Sequence, residues 1–284
     1  VLGSASPDLL RQGSESLAGR IGFYELMGFD AEEVGVRNLE RLWFRGGFPR
    51  AYLARSHREC NSWRSDFIRT FLERDIPSLG ITIPPRTLER FWTMLAHYHA
   101  QVWNAAEFAR SFGVSHTTVR KYVDILANAF VVLQLPPWAE NVGKRVVKSP
   151  KIYMTDTGLL HALLGIDTPH ALERHPKLGA SWEGFILTQV VHILEAKRNE
   201  CFFWATHAGA ELDLLVVRNN LRYGFEIKRT DTPTVTASMK SALETLGLKK
   251  LTIIHAGRET FQLRGKVQAV AACDLLRETK SFRR

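Results

Sequence analysis

Two short acidic segments towards the C-terminal end carry residue types that can do chemistry. In Glu211-Leu212-Asp213-Leu214-Leu215 polar and apolar side chains alternate. In an extended strand Glu211 and Asp213 then share one face, and Leu212 and Leu214 the other. Glu226-Ile227-Lys228 repeats the pattern, with Glu226 and Lys228 together and Ile227 opposite. Asn219-Asn220 lies between the two segments and suits a tight hairpin, which would set Asp213 beside Glu226. Adjacent carboxylates repel and disturb each other's titration. A divalent cation removes that conflict, and oxygen ligands with room for water suit Mg²⁺ or Mn²⁺. Lys228 would stand about 6–7 Å along the strand from Glu226, where it could orient a water or stabilise charge on a phosphate. Metal and lysine together can hydrolyse a phosphodiester. Glu183, in Ser181-Trp182-Glu183-Gly184-Phe185 at the expected opening of a helix, could add a carboxylate. The expected catalytic set is therefore Asp213, Glu226, Lys228 and Glu183, with Asp213 and Glu226 as metal ligands. A solvated charged face would leave the same residues, as would an inherited site that has lost its activity. For Glu183, a helix N-terminus that favours an acidic residue would suffice.

A second set lies earlier in the chain. Val119, Tyr122, Val123 and Leu126 recur at helical spacing and form a stripe to be buried. The other face offers His116, Thr117, Arg120 and Lys121, which in a helix-turn-helix would reach a nucleic-acid groove. Asn104 and Ser115 suit the two N-caps, with Phe112-Gly113-Val114 as the turn. The basic run from Lys144 to Lys151, with Arg145 and Lys148, could touch phosphates as a wing. Helix-turn-helix units also dock proteins, and this pattern alone does not separate the two uses.

The elements that must position these residues can be read from periodicity and punctuation. A helix expected over 182–196 is followed by strands over 201–204, 211–217 and 222–228. A helix over 236–246 and a strand over 251–255 complete an order α-β-β-β-α-β. Ahead of them, Phe130-Val131-Val132-Leu133-Gln134-Leu135 is a strand stopped by Pro136-Pro137, with Lys151-Ile152-Tyr153-Met154 as its returning partner. Residues 36–83 read as helical, broken at Gly46-Gly47 and Pro49. With 284 residues, more than one domain is expected. The fold class is multidomain, α and α/β. A net charge of +9 favours a polyanionic partner. The 3 cysteines, Cys60, Cys201 and Cys273, are too few and too scattered for a disulfide framework or a zinc pattern. No apolar run is long enough to cross a bilayer, and a cytoplasmic location is expected.

Taken jointly, these segments carry a resemblance. Gly3-Ser4-Ala5-Ser6, Ser16-Leu17-Ala18-Gly19-Arg20, Trp43-Phe44-Arg45-Gly46-Gly47-Phe48-Pro49 and Phe71-Leu72-Glu73-Arg74-Asp75-Ile76 contribute. So do the helix-turn-helix, Pro150-Lys151-Ile152-Tyr153 with Asp156-Thr157-Gly158, Trp182-Glu183-Gly184-Phe185 and the two acidic strands. The chain resembles the C-terminal portion of prokaryotic AAA-type ATPases that end in a domain of unknown function of the PD-(D/E)XK nuclease-like superfamily. The resemblance implies a remnant of the ATPase core over 1–35, a helical linker over 36–85, a winged helix over 86–168 and a restriction-endonuclease-like domain over 169–284. It also implies that Ser4 and Arg20 would face nucleotide in a longer parent, and that any oligomer would assemble through the ATPase part. The chain contains no G-x-x-x-x-G-K-[ST] loop, so ATP is expected only in that parent. DNA is the expected partner ahead of RNA, with Mg²⁺ or Mn²⁺ as cofactor. A non-catalytic binding or regulatory module is the alternative.

Overall fold

Residues 26–139 and 147–279 are described by the computed structural model. The expectations for Ser4, Arg20 and Arg145 lie outside the described residues. The first part is helical: α1 (Ala31–Val34), α2 (Leu39–Arg45), α3 (Pro49–Tyr52), α4 (His57–Thr70), α5 (Ile76–Ser78) and α6 (Pro85–His97). The turn at Gly46 has φ 82°, and a side-chain carbon there would collide with the Asp156 carboxylate. Only glycine meets both demands. Asp156 uses the space to accept from Gly47 N–H (2.7 Å) and Leu159 N–H (2.8 Å).

A three-stranded sheet and a helical pair follow. Strand β1 (Gln101–Val102), helices α7 (Ala105–Phe112) and α8 (His116–Asn128), and strands β2 (Val132–Leu135) and β3 (Lys151–Met154) run in chain order. The sheet order is β1-β3-β2, with both pairings antiparallel. Asn104 caps α7 through Ala106 N–H and Ser115 caps α8 through Thr118 N–H, while Gly113 takes the left-handed turn at φ 63°. Val119, Val123, Ile125 and Leu126 are buried. Tyr122 is half-buried, its ring against Phe91.

Helices α9 (Thr157–Leu163), α10 (Pro169–Glu173) and α11 (Leu178–Ile193) lead into the larger sheet. Its strands are β4 (Cys201–Ala205), β5 (Glu211–Arg218) and β6 (Leu221–Lys228), then, after α12 (Ala237–Leu246), β7 (Lys250–His255), β8 (Phe261–Arg264) and β9 (Val267–Ala271). Helix α13 (Leu275–Thr279) ends the described chain. The strand order is β4-β5-β6-β7-β9-β8: β6, β7 and β9 run parallel, and the other pairings are antiparallel. The fold is thus mixed α/β, with a helical N-terminal part and a mixed sheet. Asn219 and Asn220 both have positive φ, 51° and 61°, which closes the β5–β6 hairpin in the turn that matches strand twist.

Two corrections concern α11 and the last hairpin. Helix α11 begins at Leu178, a turn earlier than expected. Glu183 therefore sits in its second turn, and attraction to a helix N-terminus does not account for it. The β8–β9 hairpin was not expected, although Phe261-Gln262-Leu263-Arg264 alternates apolar and polar residues; it is a short edge strand, half-buried and exposed in turn.

The cores cross these elements. One unites Leu39, Leu42 and Trp43 with Trp182, Phe185 and Ile186 of α11 and with Leu214, Phe225 and Ile227 of the large sheet. A second gathers Leu88, Phe91 and Trp92 of α6 with Phe108, Val119, Val123, Ile152 and Met154. A third packs Met239, Ala242 and Leu246 of α12 against Leu212, Leu215, Leu251 and Ile253. Strand β3 lies between the first two. Ile152 and Met154 belong to the second core and Tyr153 to the first, the two-faced pattern that strand alternation imposes.

Candidate active site

Strand β5 is irregular against β4 between Leu212 and Leu215: Leu212 packs in the third core and Leu214 in the first, so the two do not share one face as expected, and Asp213 lies between them at the irregularity. On β6, Phe225 and Ile227 are buried in the first core, with Glu226 and Lys228 alternating between them. The β5–β6 pairing runs from Arg218↔Leu221 to Leu214↔Phe225 and stops there, with Asp213 and Glu226 the next residues on the two strands. There the Asp213 carboxylate takes a backbone donor: Ile227 N–H donates to Oδ2 at 2.9 Å. Helix α12 fixes the start of β5, where Ser238 Oγ accepts from Glu211 N–H and donates to Glu211 C=O, both at 2.6 Å.

The four expected catalytic residues therefore come together. Asp213 and Glu226 are buried, at 4% and 5% exposure. Lys228 Nζ lies 2.8 Å from Glu226 Oε1, and its side chain remains partly open to solvent. The other Glu226 oxygen, Oε2, is buried and has no hydrogen-bond partner. Burial, reinforced by the Asp213 charge, pushes the Glu226 carboxyl up to about 8. Burial and Asp213 likewise push Glu183 up to about 7. Burial pulls Lys228 down, but Asp213 and Glu226 outweigh it and hold the ammonium above its ordinary range.

Two residues of the site were missed as such. Lys151, expected in an exposed basic run, is 2% exposed. It enters from β3 and stands among three carboxylates: Glu183 Oε1 at 3.3 Å, Asp213 Oδ1 at 3.7 Å, and Glu211 in close contact. Burial alone would strip its proton, but the surrounding acidic groups keep it charged. Tyr153, two residues along on the same face, donates its hydroxyl to Glu183 Oε1 at 2.7 Å. The signal was present in Lys151-Ile152-Tyr153-Met154: as a strand, its alternation pairs the lysine with the tyrosine. Helix α11 is pressed onto this wall at Gly184, where a side-chain carbon would collide with the His99 ring. His99 is itself held by Met154 N–H, which donates to Nδ1 at 2.9 Å.

The residues fit a single hard cation. Mg²⁺ is commonly held by one or two carboxylates, with waters and substrate phosphate filling the rest. Asp213 and Glu226 supply two carboxylates with one oxygen unpartnered. Among the described residues, no three His, Cys, Asp or Glu side chains gather into a metal-holding group, so an all-protein cage is not what this site offers.

On α8, His116, Thr117, Arg120 and Lys121 are all exposed on one side. Thr117 Oγ1 lies 3.0 Å from Ser115 Oγ at the cap. Lys148 is exposed in the β2–β3 connection, shortly before β3. Among the described residues, no helix is long and apolar enough to cross a membrane.

Residues 178–275 match the family described as "Domain of unknown function (DUF4143)". Residues 36–170 match "Domain of unknown function (DUF8612)". The chain is 53% identical over 276 residues to an uncharacterized protein of Mycobacterium tuberculosis and to one of Mycobacterium bovis. Each alignment covers 97% of this chain and 62% of the relative, so the chain spans under two thirds of their length. No solved structure matches.

Proposed function

We propose that the large sheet carries a metal-dependent site hydrolysing phosphodiester bonds, served by a helix-turn-helix that docks DNA in preference to RNA. The observation that carries this reading is the meeting of two buried carboxylates, Asp213 and Glu226, just past the end of the β5–β6 pairing, where a Glu226 oxygen is left without a partner. Such an orphan costs about 1–3 kcal/mol or more for a charged group, a cost that a bound cation removes. The order α11-β4-β5-β6-α12-β7 and the family match over 178–275 support the finer assignment of this part to the PD-(D/E)XK nuclease-like superfamily. The helical pair and the β2–β3 ribbon support a winged helix. A longer parent with an AAA-type ATPase part accords with relatives that extend well beyond this chain.

When bound, Mg²⁺ or Mn²⁺ supplies Lewis-acid polarisation of the phosphate and a more acidic water. Asp213, fixed by Ile227 N–H, and Glu226, fixed by Lys228, would hold it. Lys228 Nζ, partly open to solvent, donates to a phosphate oxygen or steadies the attacking water. Glu183, held by Tyr153 and Lys151, adds negative charge on the far side of Asp213. Incubation with labelled single-stranded DNA, duplex DNA and RNA in Mn²⁺ and Mg²⁺, with a chelator arm, tests the reading. Chelator-sensitive cleavage of DNA is expected. Absence of cleavage from the full-length parent supplied with ATP would remove it.

One observation favours the second reading, a non-catalytic regulatory module. Glu183 and Glu211 are engaged by Lys151 in the way that structural ion-pair networks engage carboxylates.

A further inference from the structure

The acidic site is built from two sheets and a helix. Glu183 comes from α11, Glu211 and Asp213 from β5, Glu226 from β6, and Lys151 from β3 of the smaller sheet. Four carboxylates thus meet two lysines, Lys151 and Lys228.

The two lysines are not equivalent. Lys228 lies at the partly open rim, paired directly with Glu226. Lys151 is enclosed, with a side chain 3% exposed, and within 4 Å of Glu183, Glu211 and Asp213 together. A hard cation seeks converging carboxylate oxygens, and with the ammonium between them these three do not gather into a metal-holding group. Two-metal hydrolytic sites place their ions about 3.5–4 Å apart. Asp213 is the residue common to both positions: its Oδ1 lies 3.7 Å from Lys151 Nζ, and its charge acts on Glu226.

We propose that Lys151 stands in for a second metal ion, so that the site takes one divalent cation, between Asp213 and Glu226, and no more. This rests on the metal-dependent reading above and deepens it. Lys151 is a positioning residue: it touches carboxylates, not substrate. It holds Glu183 and Glu211 in place with a buried positive charge. It also ties the helical part to the site, because β3 is the central strand of the smaller sheet and its other face is packed into the α6–α8 core. Occupancy of the site is therefore coupled to the seating of that strand.

The test is Mn²⁺ stoichiometry, read by calorimetric titration and by the electron paramagnetic signal of free Mn²⁺, on the whole chain. One ion per chain is expected for the wild type and for Lys151→Arg. Two are expected for Lys151→Met and for Lys151→Gln, the second variant keeping polar contact with the carboxylates where methionine impairs folding. Circular dichroism checks that each variant is folded. Two ions in the wild type would overturn the assignment of Lys151, and would leave the hydrolytic reading intact if cleavage persisted. One ion in Lys151→Gln with wild-type affinity would also overturn it. No ion in the wild type and one in Lys151→Gln would mean that the lysine blocks the cation, which contradicts the proposal. No ion in any variant would remove the metal-dependent reading and this inference together.

Discussion

At Glu226 one carboxylate oxygen meets Lys228 and the other meets nothing, at a position 5% exposed. That imbalance separates a site from a satisfied ion-pair network. A different polar chain nearby closes completely. Trp43 Nε1–H donates to Ser181 Oγ at 2.9 Å, Ser181 lies 2.7 Å from His161 Nε2, and His161 Nδ1 lies 3.0 Å from Phe44 C=O. The carbonyl fixes the tautomer: Nδ1 carries the proton, and Nε2 accepts from Ser181. Burial pushes His161 down to about 3, so the ring stays neutral in the fold. The unfolded chain protonates this histidine near its ordinary 6.5. Its stabilising contribution is therefore complete above pH 6.5 and is lost as pH falls towards 3. Comparing the wild type with His161→Gln by urea denaturation should show their stability difference shrinking by about 1.4 kcal/mol per pH unit below 6.5. A difference independent of pH would show that the ring is charged in the fold.

Among the elements, α11 does most to set the site. It is buried on nearly every side, from Ser181 to Val190, so its rotation is fixed by packing. Gly184 sets how closely it approaches β3. Gly184→Ala is expected to cost about 1–3 kcal/mol through overpacking against His99, measured as a lowered urea midpoint. An unchanged midpoint would mean that the helix can shift freely. Helix α8 is the contrasting case, buried along one stripe and polar along the other. If its polar side meets phosphates, Arg120→Ala with Lys121→Ala should flatten the salt dependence of DNA binding by about 2 in log–log slope. An identical slope and affinity would leave α8 as a protein-docking surface. The β5–β6 hairpin was legible because Asn219-Asn220 is a local signal that survives in the structure, whereas the alternation expected over 211–215 is broken by the irregularity of β5 against β4. The true start of α11 was not legible. Its N-cap position, Lys177, makes no side-chain cap, and the first turn is held by tertiary packing. Lys151 was hidden for a related reason. Within a run of basic residues it looks solvated, and only a long-range partner set can bury it.

For the whole molecule, the cores matter more than the order of segments along the chain. Leu42 and Trp43 pack with Trp182 and Phe225, which lie far away in sequence, and β3 serves two cores at once. Composition and motif spacing pointed to separate helical and α/β parts, and both parts are present. How closely they interlock could not be read, because the joining residues are ordinary apolar ones. The consequence is functional: the carboxylates belong to one sheet, and the cation that balances them comes from the other.

The central claim is that Asp213, Glu226 and Lys228 form a working hydrolytic centre, and cleavage of labelled duplex DNA tests it most directly. The wild-type chain, Glu226→Gln and Lys228→Ala would be compared at equal folded concentration in Mn²⁺ and in chelator. Metal-dependent cleavage by the wild type is expected, reduced about 100-fold or more in each variant. Cleavage at wild-type rate in both variants, or cleavage that survives the chelator, would contradict the account.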